Sequence, residues 1–131
     1  GFKEEPRKVM YGGPMMGIAV PTLEEPILKN TNAILAFNEK DSKQKDPSPC
    51  LHCGKCIDVC PMSLNPTGFS HALKNSKRDD MIAALEASRV NLCVECGSCA
   101  FVCPAQRPLT ESIKVAKKFV KDHNAFKATL K

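Results

Sequence analysis

The cysteines are the residues whose type and spacing could do chemistry in this chain. Eight of the 131 residues are cysteines, and all lie in two runs that read C-x2-C-x2-C-x3-C-P, at Cys50–Pro61 and Cys93–Pro104. Such cysteines can form disulfides, bind zinc or hold iron–sulfur clusters. Structural zinc sites usually separate two cysteine pairs by a longer loop, whereas a third cysteine following at once and a terminal Cys-Pro are typical of iron–sulfur ligation. We therefore expect iron–sulfur clusters, with a structural, zinc-binding interaction module as the alternative.

The rest of the composition agrees with metal ligation rather than disulfides. The charged stretch at residues 3–8 is not followed by an apolar segment, so no secretory signal is expected. No run of about 18 apolar residues is present, so no direct membrane span is expected. A reducing compartment disfavours four disulfides. Metal ligation is thus the favoured interpretation even before the spacing is considered.

The two cysteine runs are copies of one unit, since seven of their twelve aligned positions are identical. Three thiolates two residues apart can wrap one face of a cluster, and in the bacterial ferredoxin pattern the fourth comes from the other run. We therefore expect two neighbouring [4Fe–4S] clusters. The ligand sets are predicted to cross between the runs: Cys50, Cys53, Cys56 and Cys103 for cluster 1, and Cys93, Cys96, Cys99 and Cys60 for cluster 2.

Other polar residues carry weaker signals. His52 is interpreted as a loop residue, since four thiolates already complete the cluster beside it. No nucleophile–base pair, phosphate-binding loop or basic–aromatic pattern is evident, so no catalytic residue and no nucleic-acid partner are expected. The lysines at positions 114, 117, 118 and 121 form one side of a predicted helix. That side is either a solvated face or a docking face for an acidic electron carrier or an anionic membrane surface.

The elements around the cysteines are predicted to be mainly helical. Short strands are expected at residues 8–11 and 33–37, with a tight turn at residues 12–14 and a linker at 38–49. One helix should begin at Pro66 with Asn65 as its cap, and a second after Ser76 in a weak capping box with Asp79. A last helix from about Pro108 should bury a stripe made of Leu109, Ile113, Ala116 and Val120, and its end should fray from His123.

Several stretches together resemble the RnfC family, a component of the Rnf electron transport complex. They are Tyr11–Gly17 (YGGPMMG), Glu25–Leu35, the two cysteine runs and Pro104–Leu109. That membrane complex moves electrons between ferredoxin and NAD and couples this to ion translocation. The resemblance covers residues 8 to 121 and implies that all eight cysteines are cluster ligands. It also implies a helical two-cluster ferredoxin-like domain behind a short β-containing N-terminal extension.

The same resemblance implies a domain order and a setting. Residues 1–48 would be the end of a preceding β-containing, SLBB-like domain plus a linker, 49–123 the two-cluster domain and 124–131 a frayed tail. FMN and NADH would bind only in a part of the RnfC protein that lies before this sequence. Residues 12–17 would either border that site or form a plain turn with Met15 and Met16 packed inward.

The implied role is an electron relay without bond chemistry, inside a parent complex that is an NADH–ferredoxin oxidoreductase. The implied partners are other components of that membrane-bound complex and an acidic ferredoxin, at the cytoplasmic face of the bacterial cell membrane. The alternative is a cobalamin-reductase-type flavin and iron–sulfur protein of a bacterial microcompartment, which shares this module.

Overall fold

The computed structural model describes residues 2–43 and 45–129. The chain divides into two compact units, residues 1–46 and residues 47–131. The first contains a small sheet and the second is helical, which confirms the expected helix-rich fold with a short β-containing N-terminal extension. No described helix is long and apolar enough to cross a membrane.

The first unit is a three-stranded antiparallel sheet. Its strands are β1 (Lys8–Tyr11), β2 (Ile18–Ala19) and β3 (Ile34–Phe37), in the order β2-β1-β3. The central strand carries the buried residues Val9 and Met10. A short helix α1 (Glu39–Ser42) follows β3, and Asn38 caps it by accepting a hydrogen bond from the backbone of Asp41 at 2.9 Å. Part of the predicted linker is therefore helical, because an Asx cap and two acidic residues stabilise this one turn.

The β1–β2 connection needs its glycines for the turn itself. Gly12 has a φ of 91°, and a Cβ at Gly17 would lie 2.6 Å from the carbonyl oxygen of Gly13. The backbone N–H of Gly17 donates to that same oxygen at 2.7 Å. Met15 and Met16 are both exposed, so the expectation that they pack inward is wrong. The turn is too tight to fold two long side chains beneath itself.

The second unit contains five α-helices in its described part. They are α2 (Lys55–Asp58), α3 (Pro66–Ala72), α4 (Arg78–Ala87), α5 (Ser98–Phe101) and α6 (Leu109–Thr129), with a 3-10 turn at Val90–Leu92 before the second cysteine run. Pro66 begins α3, and the side chain of Asn65 accepts from the backbone N–H of Gly68 at 3.0 Å. This start matches the prediction. Lys77 precedes α4 without a side-chain cap, so the predicted Ser76 capping box does not form.

One face of α6 supplies the core of this unit. The predicted stripe of Leu109, Ile113, Ala116 and Val120 is buried, and α6 packs against α3, α4 and the 3-10 turn. Phe69, Leu85, Val90 and Thr110 are fully buried beside this stripe. Several cysteines pack into this same hydrophobic core, so the core and the cysteine loops share one interior.

Helix α6 extends further than the expected frayed tail allows. It is helical to Thr129, while Leu130 and Lys131 lie outside the described residues. No glycine or proline follows Pro108, and Asn124 donates a hydrogen bond to the Glu86 carboxylate at 3.1 Å. The lack of a helix-breaking residue and this tie to α4 explain the added turns.

Candidate metal centre

Each cysteine run wraps its backbone in the same way. Gly54 and Gly97 follow the second cysteine of each run with φ of 79° and 82°, and each leads directly into a one-turn helix. His52 and Glu95 are equivalent in the repeat, and both have positive φ, at 53° and 56°. The repeated sequence therefore folds into two copies of one loop, which present their thiols alike.

The first cavity brings together four cysteines from both runs. Cys50, Cys53, Cys56 and Cys103 line it, and it holds about 640 Å³ of space not filled by atoms. His52, Thr67 and Arg107 are among the other residues in its wall. These four cysteines are the set predicted for cluster 1.

The second cavity brings together the other four. Cys60, Cys93, Cys96 and Cys99 line a space of about 380 Å³. Its wall is mostly apolar and includes Leu64, Phe69 and Ile113, with Thr110 and Glu95 as polar exceptions. The spacing argument for cluster 2 predicted this same set.

Backbone N–H groups already point at sulfur in both loops. The N–H of His52 donates to Cys50 Sγ and that of Glu95 to Cys93 Sγ, both at 3.4 Å. The N–H of Leu64 donates to Cys60 Sγ at the same distance. Such donors stabilise negative charge on sulfur and raise the reduction potential of a bound cluster.

Burial and mutual repulsion affect the thiols unevenly. Burial raises the pKa of Cys56, and the nearby Cys103, Cys50 and Cys53 raise it further, while its own backbone N–H opposes them. Repulsion of this kind requires the four groups to lie close together. Cys96 differs, because a hydrogen bond with the Ser98 hydroxyl at 3.4 Å lowers its pKa.

Burial also raises the pKa of Cys93 and of Cys99 in the second cavity. The Thr110 hydroxyl lowers the pKa of Cys99 in opposition to burial. Within the described residues that buried hydroxyl makes no hydrogen bond of good geometry. It is therefore close to the Cys99 thiol but not fully satisfied by it.

The donor set and these surroundings fit an iron–sulfur cluster in each cavity. Thiolates are the ligands that such clusters use. The two buried side-chain atoms without a partner in the described part of the chain, Arg107 Nε and Thr110 Oγ1, belong to residues that line the first and second cavity respectively. In the same part of the chain, no three His, Cys, Asp or Glu side chains form a group that could hold a single metal ion.

The second run is tied to α6 through a lysine that the sequence alone assigns to a solvated or docking face. Lys117 forms an ion pair with Glu95, and its Nζ donates to the carbonyl oxygen of Cys93 at 3.0 Å. Both side chains are about 28–29% exposed. Lys117 therefore fixes the loop of the second cavity, while Lys118 and Lys121 of the same helix stay exposed.

Comparison with known proteins agrees with this picture. Residues 46–107 match the family described as "4Fe-4S dicluster domain". The chain therefore contains an iron–sulfur domain of the electron-transfer class, and two [4Fe–4S] clusters are its cofactors, as expected from the eight cysteines.

The similarity extends to particular proteins, each of them the C component of an ion-translocating complex. The C component of the Na(+)-translocating ferredoxin:NAD(+) oxidoreductase complex from Acetobacterium woodii is 45% identical to this chain over 118 residues. The match covers 90% of this chain and 26% of that protein. That of the proton-translocating complex from Clostridium ljungdahlii is 47% identical over 70 residues, 53% of this chain and 15% of the relative. That of the ion-translocating oxidoreductase complex from Methanosarcina acetivorans is 46% identical over 66 residues, 50% of this chain and 15% of the relative.

These relatives confirm the resemblance to the RnfC family. The chain spans about a quarter of the Acetobacterium protein. The activity of these full-length relatives can therefore only be proposed for this chain.

Proposed function

We propose that this chain is a two-cluster electron relay whose ligand sets cross between the two cysteine runs. Cys50, Cys53, Cys56 and Cys103 would hold cluster 1, and Cys93, Cys96, Cys99 and Cys60 cluster 2. The supporting observation is that each cavity is lined by three cysteines of one run and the fourth of the other.

The chain contributes position and environment rather than bond chemistry. A bound cluster supplies a one-electron couple, and its potential depends on net charge, hydrogen bonds to sulfur and exposure. Backbone donors from His52, Leu64 and Glu95 reach three of the sulfurs. Phe69 and Ile113 exclude water from one wall of the second cavity. The runs therefore hold two redox centres in environments that differ.

We further propose that the chain acts within an ion-translocating ferredoxin:NAD oxidoreductase, as a peripheral part on the cytoplasmic face of the membrane. The names of its relatives support this assembly. Its partners would be the other components of the complex and an acidic ferredoxin. Lys117, Lys118 and Lys121 line a groove with Glu95, which also lines the second cavity. We define Lys118 and Lys121 as the lysine surface, and it would attract an acidic carrier to the second cluster.

Anaerobic purification followed by iron, sulfide and zinc quantification and EPR tests the relay. Two [4Fe–4S] clusters give about eight iron and eight sulfide per chain. The preparation should be brown, bleach with dithionite and give EPR signals of two interacting reduced clusters. A colourless, zinc-loaded anaerobic preparation would contradict the proposal and favour a structural zinc module.

A further inference from the structure

The two cavities differ at one position of the repeat. Leu64 stands four residues after Cys60 and lines the second cavity, while Arg107 stands four residues after Cys103 and lines the first. The backbone is equivalent there, because Ser63 and Gln106, one residue earlier, both have φ of 50°. The repeat thus places an apolar side chain beside one set of thiols and a cation beside the other.

The guanidinium of Arg107 is only partly satisfied. Its Nη2 donates to the Ser70 hydroxyl at 3.0 Å, whereas its buried Nε has no hydrogen-bond partner in the described part of the chain. Leaving a buried donor of a charged group unpaired is costly, so such atoms usually have a partner. Within the described residues no carboxylate lines the first cavity to serve as that partner.

We propose that Arg107 is the cationic partner of the first cluster and sets its reduction potential above that of the second. The inference rests on the electron relay proposed above. Reduction adds a negative charge to a cluster that four thiolates already make anionic, so a fixed cation nearby favours the reduced state. A hydrogen bond from Nε to a cluster or cysteine sulfur would act in the same direction.

The second cavity has no matching cation of its own among the described residues. The polar group at its wall that lacks a partner is the uncharged hydroxyl of Thr110, and the carboxylate of Glu95 also lines it. Lys117 does not line this cavity, and the carboxylate of Glu95 partly offsets its charge. Two backbone N–H groups reach sulfurs of the second set and one reaches a sulfur of the first, but a full positive charge acts more strongly than one additional neutral donor. The first cluster is therefore the more easily reduced, and an electron entering by the second would come to rest on the first.

Redox titration of the loaded 131-residue chain, followed by EPR, tests the proposal. Arg107→Leu makes the two cavities alike at this position. We expect it to lower the potential of the first cluster by at least a tenfold change in the reduction equilibrium, which is about 59 mV for one electron. Arg107→Lys keeps the charge without Nε and should give a smaller shift. Lys74→Met is the matched control, because Lys74 is an exposed cation in a groove that Arg107 also lines.

Iron and sulfide analysis separates the two proposals. A wild-type chain without iron–sulfur clusters refutes the relay itself. Full loading of both Arg107 variants with unchanged potentials refutes the role of Arg107 and leaves the relay intact.

A measurement on a chain that keeps Arg107 tests the proposal even if the Arg107 variants do not bind both clusters. Cys56→Ala removes a proposed ligand of cluster 1 and should abolish the higher-potential step of the titration. Survival of the higher-potential step and loss of the lower one would overturn the order of potentials.

Discussion

At the residue scale, the cysteine loops hold side-chain-bearing residues in a backbone region that favours glycine. His52 and Glu95 form one equivalent pair with positive φ, and Ser63 and Gln106 form another. Each such residue costs on the order of 1–3 kcal/mol unless its surroundings compensate. Because all four lie within three residues of a cysteine of the runs, we expect ligation of the thiols to offset this cost. Loop geometry and cluster binding are therefore linked.

The strained conformation at His52 predicts different effects for two substitutions. His52→Gly should keep full iron content, since glycine adopts positive φ freely. His52→Val places a β-branched residue there and should reduce the stability of the loaded chain by about 1–2 kcal/mol relative to the glycine variant. Guanidinium titration followed by cluster absorbance measures the difference. Loss of four iron in both variants would instead make His52 a ligand.

Crossed ligation predicts the outcome of two paired double substitutions. Cys56→Ala with Cys103→Ala removes two ligands of the same cluster, so about four iron should remain per chain. Cys56→Ala with Cys60→Ala removes one ligand from each cluster and should affect both. Iron analysis and EPR compare the two variants directly. The reverse result would mean that each run holds its own cluster.

The sequence alone predicts which cysteines lie together in each cavity, but it says little about the other residues of the cavity walls. The spacing predicted the two sets of cysteines that line the two cavities. Arg107 and Thr110 were missed, because their role depends on burial and on which wall they reach. An alignment of the two runs that continued for four residues after Cys60 and Cys103 would have paired the apolar Leu64 with the cationic Arg107.

At the element scale, α6 is the scaffold on which the second cysteine run rests. Its apolar stripe was predicted because spacings of four and three residues place side chains on one face. Its length was not predicted, since the hydrogen bond between Asn124 and Glu86 joins residues 38 apart. The uncapped start of α4 at Lys77 was also missed, because packing of Met81, Ile82 and Leu85 stabilises that helix without a cap.

Two valines of α6 give a matched test of this scaffold. Val120 is 1% exposed and Val115 is 48% exposed. Val120→Ala should lower the free energy of unfolding by about 2 kcal/mol, from two lost methyl groups and the space they leave. Val115→Ala should change it by less than about 0.5 kcal/mol. Chemical denaturation of the loaded chain measures both, and equal losses would mean that α6 is not packed as described.

At the scale of the whole molecule, the net charge of +5 and the lysine surface suit an acidic electron carrier. The double variant Lys118→Gln, Lys121→Gln should exchange electrons with a reduced acidic ferredoxin several-fold more slowly at low salt. At about 1 M salt the rate should change little, because charges are then screened beyond about 3 Å. Lys127→Gln, further along the same helix, is the control. Stopped-flow absorbance measures the rate, and a salt-independent loss would argue against steering.

Cluster removal should affect the whole helical unit. The buried core includes Cys56 and Cys99, and Cys60, Cys93 and Cys103 pack against it. Ligand binding and folding are coupled in small metal domains. Chelation of the iron should therefore reduce far-UV helical signal and increase protease sensitivity over residues 47–129. A cooperative apo fold with unchanged protease resistance would contradict this expectation.

The order in which the thiols enter the cavities has a consequence for biosynthesis. In the proposed arrangement the second ligand set is complete only when Cys99 has left the ribosome, and the first only at Cys103. A nascent chain that ends anywhere before these residues carries exposed thiols but no complete set. Both clusters must therefore be inserted after the second cysteine run has been translated, because the two ligand sets are completed within four residues of each other along the chain. Termination before Cys99 would release a chain with neither ligand set complete rather than one with half of its redox capacity.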